Sequence, residues 1–571
     1  MKTAKSTLAP ALVAAAALAQ PAVADWQFRS RPDLAPPRLN ITIPATDAVE
    51  PGYLFLAPFA GLVDTPTEQH GPRQAGPYIF RDNGDLVWSG YGIYSIWSTN
   101  FQAGRWKGKD VLFSFEGDHN PGYGHGHGHI TFVDQHYETI RELRAGNHKL
   151  VDKHEFHIVN EETGLIQVYQ PVPRDLTEWG ASPEQQWIVN AIIQETDRAS
   201  LELDISTGEL LFEWASLDHV QPDEAILPIN PGQAGSGYNS SDAWDYFHIN
   251  SVDKDASGNY LISARDACAI HKINATDGSV IWRLHGTRSD FKMTNGTEFC
   301  FQHHARWLAQ DDEEGIEVIS LYDNSAHGTE HNDGSEVHTA PTSSGKILRL
   351  NTTSWTAELV GAYFPPDDLR SKSQGSTQVL PGGNVLVGWG SSGAVTEFSA
   401  DGEPLFHAYM DSGALGVAVE NYRAFRYNWT GVPSEEPAIV ALTNEKAHTT
   451  TIYVSWNGDT ETAAWRFFAV VDGKGSREFL AEVPRTSFET SLAVRGGSFL
   501  SVAAVAVDVR GRVLANTAVV RTEQEILPYK SELVPSPAPG SQMVITHESP
   551  KQTGRWAKGG AYWQLSQNDD L

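Results

Sequence analysis

A short polar turn followed by an apolar run recurs along the first three-quarters of the chain. Asp82-Asn83-Gly84 precedes LVW, Ser206-Thr207-Gly208 precedes ELLFEW, Asp277-Gly278 precedes SVIWRL and Asp401-Gly402 precedes EPLFHAY. Each is a hairpin turn feeding a β-strand, because Gly and Asx residues accept the backbone angles that a tight reversal needs. FVDQHYETIREL and LRLNTTSWTAELVGAYF show the same strand–turn–strand character without the glycine. This predicts six units between Trp26 and Pro437, roughly 70 residues each, which is longer than the commonest propeller repeats and leaves room for long loops. A small sheet cannot bury both faces alone, and circular packing of such sheets supplies a core while exposing only short edges. The expected fold class is all-β: a six-bladed β-propeller over residues 25–437, with inter-blade loops around a central funnel.

After Pro433-Ser434-Glu435-Glu436-Pro437 the texture changes to closely spaced alternating strands, among them TTIYVSWNG, AAWRFFAVV and SFLSVAAVAVDVRG. That spacing predicts a small immunoglobulin- or fibronectin-like β-sandwich over 438–523. From 524 to 571 Pro, Ser, Gly and Gln rise and periodicity disappears, which predicts a flexible C-terminal extension.

The first residues, MKTAKSTLAPALVAAAALAQPAVADW, combine basic Lys2 and Lys5, an apolar stretch from Leu8 to Ala19, and Ala22-Val23-Ala24 as a cleavage signal. Residues 1–24 are therefore expected to be a secretory signal peptide. No later window holds the roughly 18 apolar residues of a membrane helix, so no membrane insertion is expected. Sequons start at Asn40, Asn239, Asn274, Asn295, Asn351 and Asn428, and are expected to be glycosylated in a secretory lumen. Cys268 and Cys300 are the two cysteines of the chain. One disulfide is expected in an oxidising compartment, with a two-Cys metal site as the other reading. A net charge of −29 repels phosphate backbones, which excludes nucleic acid as an expected partner.

No nucleotide-cradling glycine loop and no GxSxG elbow is present, and no cofactor is implied. Histidine carries the candidate chemistry. His125, His127 and His129 in GYGHGHGHITF share one strand face, but the outer pair lie about 13 Å apart along an extended strand, too far for one ion unless the glycines fold the segment back. In DKHEFHIV, His154 and His157 point to opposite faces, so only one can reach a central site. A hairpin centred on Ser257-Gly258-Asn259 brings His248 and Arg265 into one neighbourhood. In FCFQHHARW, His303 and His304 again alternate. Three imidazoles and a guanidinium converging in a funnel make a site for an oxyanion, and one unprotonated imidazole can attack as a nucleophile.

These motifs resemble the fungal branch of the arylsulfotransferase (ASST) family. The resemblance spans roughly residues 26 to 523. It is carried by GHGHITFVDQHYETI, DKHEFHIV, YFHINSVDKDASGNYLISARDACAIHKINATDGSVIWRLHG, FQHHARW, LYDN and ENYRAFRYNWTGVPSEEPAIV, most specifically by the H-x-N-S strand, S-A-R and I-W-R-L-x-G. It implies a funnel that moves a sulfuryl group between phenols through a sulfohistidine, without a nucleotide sulfate donor. His303 matches the QHD histidine, the nucleophile. His248 and Arg265 match the H-x-N-S and S-x-R residues that bind sulfuryl oxygens. His154 matches the upstream D-x-H-E histidine, an acid/base or oxyanion ligand. Asn250, Trp244, Tyr246 and Trp307 are the expected substrate contacts, the aromatic three as ring platforms. The acid of QHD is replaced here, since Gln302-His303-His304 stands in its place, and the N-terminal sandwich of bacterial members is absent. Fold does not fix function. The alternatives are a non-transferring cyclase or pericyclase of phenolic metabolism, a binding or adhesion propeller, and a metal-dependent variant using His125, His127 and His129 or His327 and His331.

Overall fold

The computed structural model describes residues 25–60, 72, 74–94, 97–119, 124–196, 210–229, 234–328, 337–410, 419–470, 476–525 and 542–546. The signal segment and the turn at Ser206-Thr207-Gly208 lie outside the described residues. Among the described residues antiparallel strands dominate, with one short α-helix, Ser216–His219, and a few 3-10 turns. No helix among the described residues is long and apolar enough to cross a membrane.

Between Asn40 and Tyr427 the described residues form six sheets of four or five strands. Four keep to local stretches of chain. Ser98–Trp106 leads into Lys109–Gly117, Gly128–Val133 and Thr139–Leu143; Phe156–Val159 into Thr163–Pro173, Trp187–Thr196 and Leu210–Ala215; Ile249–Lys254 into Tyr260–Ala264, Ala269–Ile273 and Val280–His285. The fourth places His303–Asp311 beside Ile316–Asp323, Ser344–Asn351 and Thr356–Tyr363, with Lys292–Met293 at its far edge. The other two join distant stretches: Asn40–Ile43 pairs with Pro404–Tyr409, and Phe425–Tyr427 with Tyr53–Leu56. Both pairings tie the early chain to the late chain.

The expected turns sit where strands reverse. Gly84, Gly258, Gly278 and Gly402 have φ of 80, 92, 72 and 90° and join antiparallel partners. Alternation within the strands fills the apolar clusters between sheets, such as Phe113, Phe132, Phe156 and Ile166 in one and Trp282, Leu321 and Leu350 in another.

From Ala438 onward two further sheets face each other. Ala438–Asn444, Thr449–Ser455 and Glu489–Arg495 form one, and Arg477–Pro484, Ala464–Val470, Ser501–Val507 and Val513–Asn516 the other. Ile452, Val454, Trp465, Phe467, Leu492 and Val502 pack between them. Of the C-terminal extension, the described residues are 524–525 and 542–546, and both stretches pair as strands. Gln542–Thr546 forms a strand parallel to Ser491–Arg495, and Glu523–Gln524 pairs with Leu442–Thr443. The run MVIT, rich in residues that favour strands, supplies a partner for an otherwise open edge.

All six sequon asparagines lie at exposed or half-exposed positions. Asn239, Asn274 and Asn351 cap tight turns through their side-chain oxygens.

Candidate functional site

The hairpin of Ile249–Lys254 and Tyr260–Ala264 sets the first two functional groups. Its register runs one residue further at the open end, where the Arg265 N–H donates to the His248 carbonyl (3.0 Å). Both side chains are buried. The Arg265 guanidinium donates to Asp266 (2.8 Å), to His327 Nδ1 (2.7 Å) and to the Lys372 carbonyl (3.0 Å), and lies over the Phe301 ring. A disulfide joins Cys268 to Cys300, so the turn that follows Arg265 is tied to the segment that precedes His303.

His154 enters from the loop before Phe156–Val159, and its ring meets that of His248 edge to face at 4.9 Å between centroids. His157, one turn of the pleat away, is half-exposed and lies 3.3 Å from Asp253, so of the two only His154 joins the cluster. Tyr169 packs against His125, His154 and His248. Tyr422 sits between His154 and His303, with centroids 5.6 and 6.4 Å away. The cluster is therefore lined by two phenol rings that local sequence patterns do not reveal.

The three imidazoles share one arrangement: each has its Nδ1 anchored. His154 Nδ1 meets Asp152 (2.5 Å), His248 Nδ1 meets Asp245 (2.5 Å), and His303 Nδ1 meets the Asn324 amide oxygen (2.7 Å). An anchored Nδ1 fixes the ring plane and leaves Nε2 for chemistry. Asp245 also accepts from His125 Nε2 (2.8 Å). Burial works against charge on Asp245, yet His248 and His125 hold its carboxyl far below the usual carboxylate range. For Asp152, burial is likewise overcome by His154. His154 itself is pushed down to about 3 by burial, against the pull of Asp152, so it is a neutral ring beside an ionised carboxylate. Burial, and then the charge of Arg265, hold His303 well below the ordinary histidine range. It is an uncharged imidazole at neutral pH.

Backbone strain concentrates here. His248, Cys268, Phe301, His304, Ser325 and Gln374 all have φ between 47 and 65° without being glycine. Such conformations cost roughly 1–2 kcal/mol each and persist where the surroundings over-determine them.

The remaining expected residues are placed as follows. Asn250 is buried and donates to the Gln302 carbonyl (2.6 Å). Gln302 donates to Ser263, Ala264 and Ala269, stitching the strand of His303 to the neighbouring sheet. His304 does not sit beside the His303 ring: its Nδ1 lies against Thr377 and its ring against Phe425. Trp244 and Tyr246 belong to the hydrophobic core, where the indole donates to the Leu227 carbonyl and the phenol to the Val220 carbonyl. Their rings are committed to packing, with 2% and 0% exposure, and do not form platforms at the cluster. Trp307, four residues past His303, packs edge-on against Trp282 with the Lys272 ammonium over its face.

The His125, His127, His129 run is divided. His125 reaches Asp245, His127 is exposed, and His129 faces Glu116 and Glu142 at 3.8 and 3.9 Å. The glycines between them permit close passage: a Cβ on Gly128 would lie 1.9 Å from the Glu116 carbonyl oxygen. His327 anchors Arg265, and His331 lies outside the described residues. Among the described residues, His125, Asp245 and His248 are the grouping whose composition suits a metal ion. As folded they form a hydrogen-bonded His–Asp–His unit.

The profile of the family described as Arylsulfotransferase (ASST) matches residues 102–411, more than half of the chain. The chain belongs to the arylsulfotransferase (ASST) family. The matched stretch contains His154, His248, Arg265 and His303 together with Asp152, Asp245 and Asn324. No curated protein matches the chain at a significant level. Among solved structures, a protein of unknown function from Bacteroides caccae is similar at 10% identity, over 66% of this chain and 99% of its own, with a TM-score of 0.34. Virginiamycin B lyase from Staphylococcus aureus, as a catalytically inactive variant with quinupristin, is similar at 13% identity over 63% and 93%, with a TM-score of 0.25. The GH43 protein BlXynB from Bacillus licheniformis is similar at 8% over 74% and 89%, with a TM-score of 0.27. At these TM-scores none of the three bears on the chemistry of this chain.

Proposed function

We propose that this member of the ASST family is a secreted arylsulfotransferase that moves a sulfuryl group between phenolic compounds through a sulfohistidine at His303. In this reading the six sheets are blades of one propeller over residues 25–437. Residues 438–523 form an appended β-sandwich, and 1–24 are a cleaved signal peptide. The observation that carries the proposal is the buried cluster itself: three imidazoles with anchored Nδ1 atoms, one of them uncharged beside Arg265.

The chemistry follows from those groups. The lone pair on His303 Nε2 attacks the sulfur of an aryl sulfate, the N–S bond forms and the S–O bond to the aryl group breaks. The phenolate leaves with the electron pair and collects a proton from a neighbouring imidazole or water. An acceptor phenol then gives its proton to that same imidazole or water and attacks the same sulfur, the N–S bond breaks with its electron pair returning to Nε2, and His303 is neutral again. Arg265 and the imidazoles of His248 and His154 face the sulfuryl oxygens, whose charge is spread over three atoms, so positioned donors supply most of the stabilisation. No cofactor takes part in this scheme.

The test is to mix purified protein with a chromogenic aryl sulfate and excess phenol, following phenol release and the mass of the peptide that holds His303. The expected result is a burst with a sulfuryl adduct on that peptide, both abolished in His303→Ala. Absence of release and adduct over a broad panel of donors and pH would refute transfer and favour a non-transferring metabolite enzyme.

A further inference from the structure

Asn324 has its hydrogen-bonding capacity assigned without ambiguity. Its Nδ2 donates to two backbone carbonyls, those of Ser371 and Gln374, both at 3.0 Å. Both amide hydrogens are thus spent, and the atom facing His303 Nδ1 at 2.7 Å is the oxygen, which can only accept. Nδ1 must then carry the ring proton. A second contact agrees from the other side of the ring, where the Gln374 backbone N–H points at His303 Nε2 from 3.3 Å, so that nitrogen holds the lone pair. The residue after the histidine, where the family pattern has an acid, takes no part, because the His304 ring lies against Thr377 and Phe425.

We infer that Asn324 is the positioning residue of the nucleophile: it sets His303 as the Nδ1–H tautomer with the lone pair on Nε2, in place of the acidic neighbour. The inference rests on the reading of His303 as the nucleophile. His303 also differs from its two companions in its anchor: His154 and His248 are held by carboxylates, His303 by an uncharged amide. The charged and titratable groups that bear on His303 are Arg265, His154 and His248, and the Tyr422 ring packs against it. Among the described residues no carboxylate hydrogen-bonds its ring. An Asp at position 324 would introduce one.

The experiment uses the full chain labelled with 15N in histidine. Two-bond 1H–15N spectra of the wild type, assigned with His303→Gln, report the tautomer directly. The expected result is a neutral Nδ1–H ring at pH 7. An Nε2–H ring or an imidazolium at pH 7 overturns the inference whatever the enzyme does. Asn324→Asp is expected to keep the Nδ1–H form in the neutral ring but to let the ring protonate at a higher pH than in the wild type. It should also move the acid limb of kcat/KM to higher pH by about 1–3, the range an adjacent opposite charge produces. Asn324→Leu is expected to populate the Nε2–H form and lower kcat at least tenfold with the limb in place. A limb unmoved in a folded Asn324→Asp protein refutes the positioning role. Because the wild-type spectrum is independent of turnover, the outcomes separate. A correct tautomer without any sulfuryl transfer sinks the proposed activity and leaves the positioning intact.

Discussion

Asp245 serves two imidazoles at once, His248 through Nδ1 and His125 through Nε2. An amide in its place keeps the shape and one acceptor but loses the charge that holds both rings. Asp245→Asn is therefore expected to lower transfer by about 10²–10⁴-fold, the span seen for a displaced acid/base partner, while the protein remains folded. Steady-state rates with an aryl sulfate, alongside circular dichroism, check this; a rate within a factor of two of wild type would remove Asp245 from the machinery. At this scale the sequence reveals residues whose placement is local. His248 and Arg265 could be brought together from the symmetry of their hairpin about Gly258. Asp152 and Asp245 stand two and three positions before their histidines, a spacing visible in VDKH and WDYFH but uninformative without the fold. Tyr169 and Tyr422 come from separate stretches, and only tertiary packing brings them to His154 and His303, whereas Asn324 lies two residues past Tyr322, the hairpin partner of His303. Trip-wires of composition mislead in the opposite direction: Trp244 and Tyr246 are aromatic and adjacent to His248, yet hydrophobic burial draws both rings into the core.

Between elements, the Cys268–Cys300 bond joins the hairpin that carries Arg265 to the strand that carries His303. Its sequence separation of 32 corresponds to about 3–4 kcal/mol on the loop-entropy model. Cys268→Ala with Cys300→Ala is expected to lower stability by that amount in chemical denaturation. It should lower kcat more than it raises KM, because the attacking group and the charge-stabilising group are no longer held in register. Equal stability of the oxidised and double-variant proteins would contradict the first expectation, and an unchanged kcat the second. Turn chemistry made the hairpins legible, since Gly at φ near 80° is a local requirement. The strand Gln542–Thr546 was not legible, because its partner Ser491–Arg495 lies about 50 residues earlier and the flanking composition suggests a linker.

Across the whole molecule, buried histidine couples folding to pH. His154, His271, His303, His304 and His407 all have their protonation pushed below the ordinary value of 6.5, in each case by burial first. A group whose folded pKa is depressed stabilises the native state fully above its unfolded pKa. That contribution is lost as pH falls below about 6.5, because the unfolded chain accepts a proton that the native ring refuses. Each such ring contributes up to about 1.4 kcal/mol per pH unit once the pH is well below that point. His125 works in the opposite sense: burial lowers its affinity for a proton, but the hydrogen bond and charge of Asp245 raise it overall, so its contribution grows as the pH falls. Five rings act in the first sense; His125 opposes them, as does the Asp85 carboxyl, which burial pushes up to about 6. The carboxylates held low, Asp152 and Asp245, stay ionised throughout this window and do not alter it. Urea midpoints measured at pH 7.5, 6.5 and 5.5 are expected to fall, with the rings held well below 6.5 outweighing His125 and Asp85. A midpoint that is flat or rises toward pH 5.5 would mean that these imidazoles already carry protons in the native state, and His303 as a neutral nucleophile would fall with it.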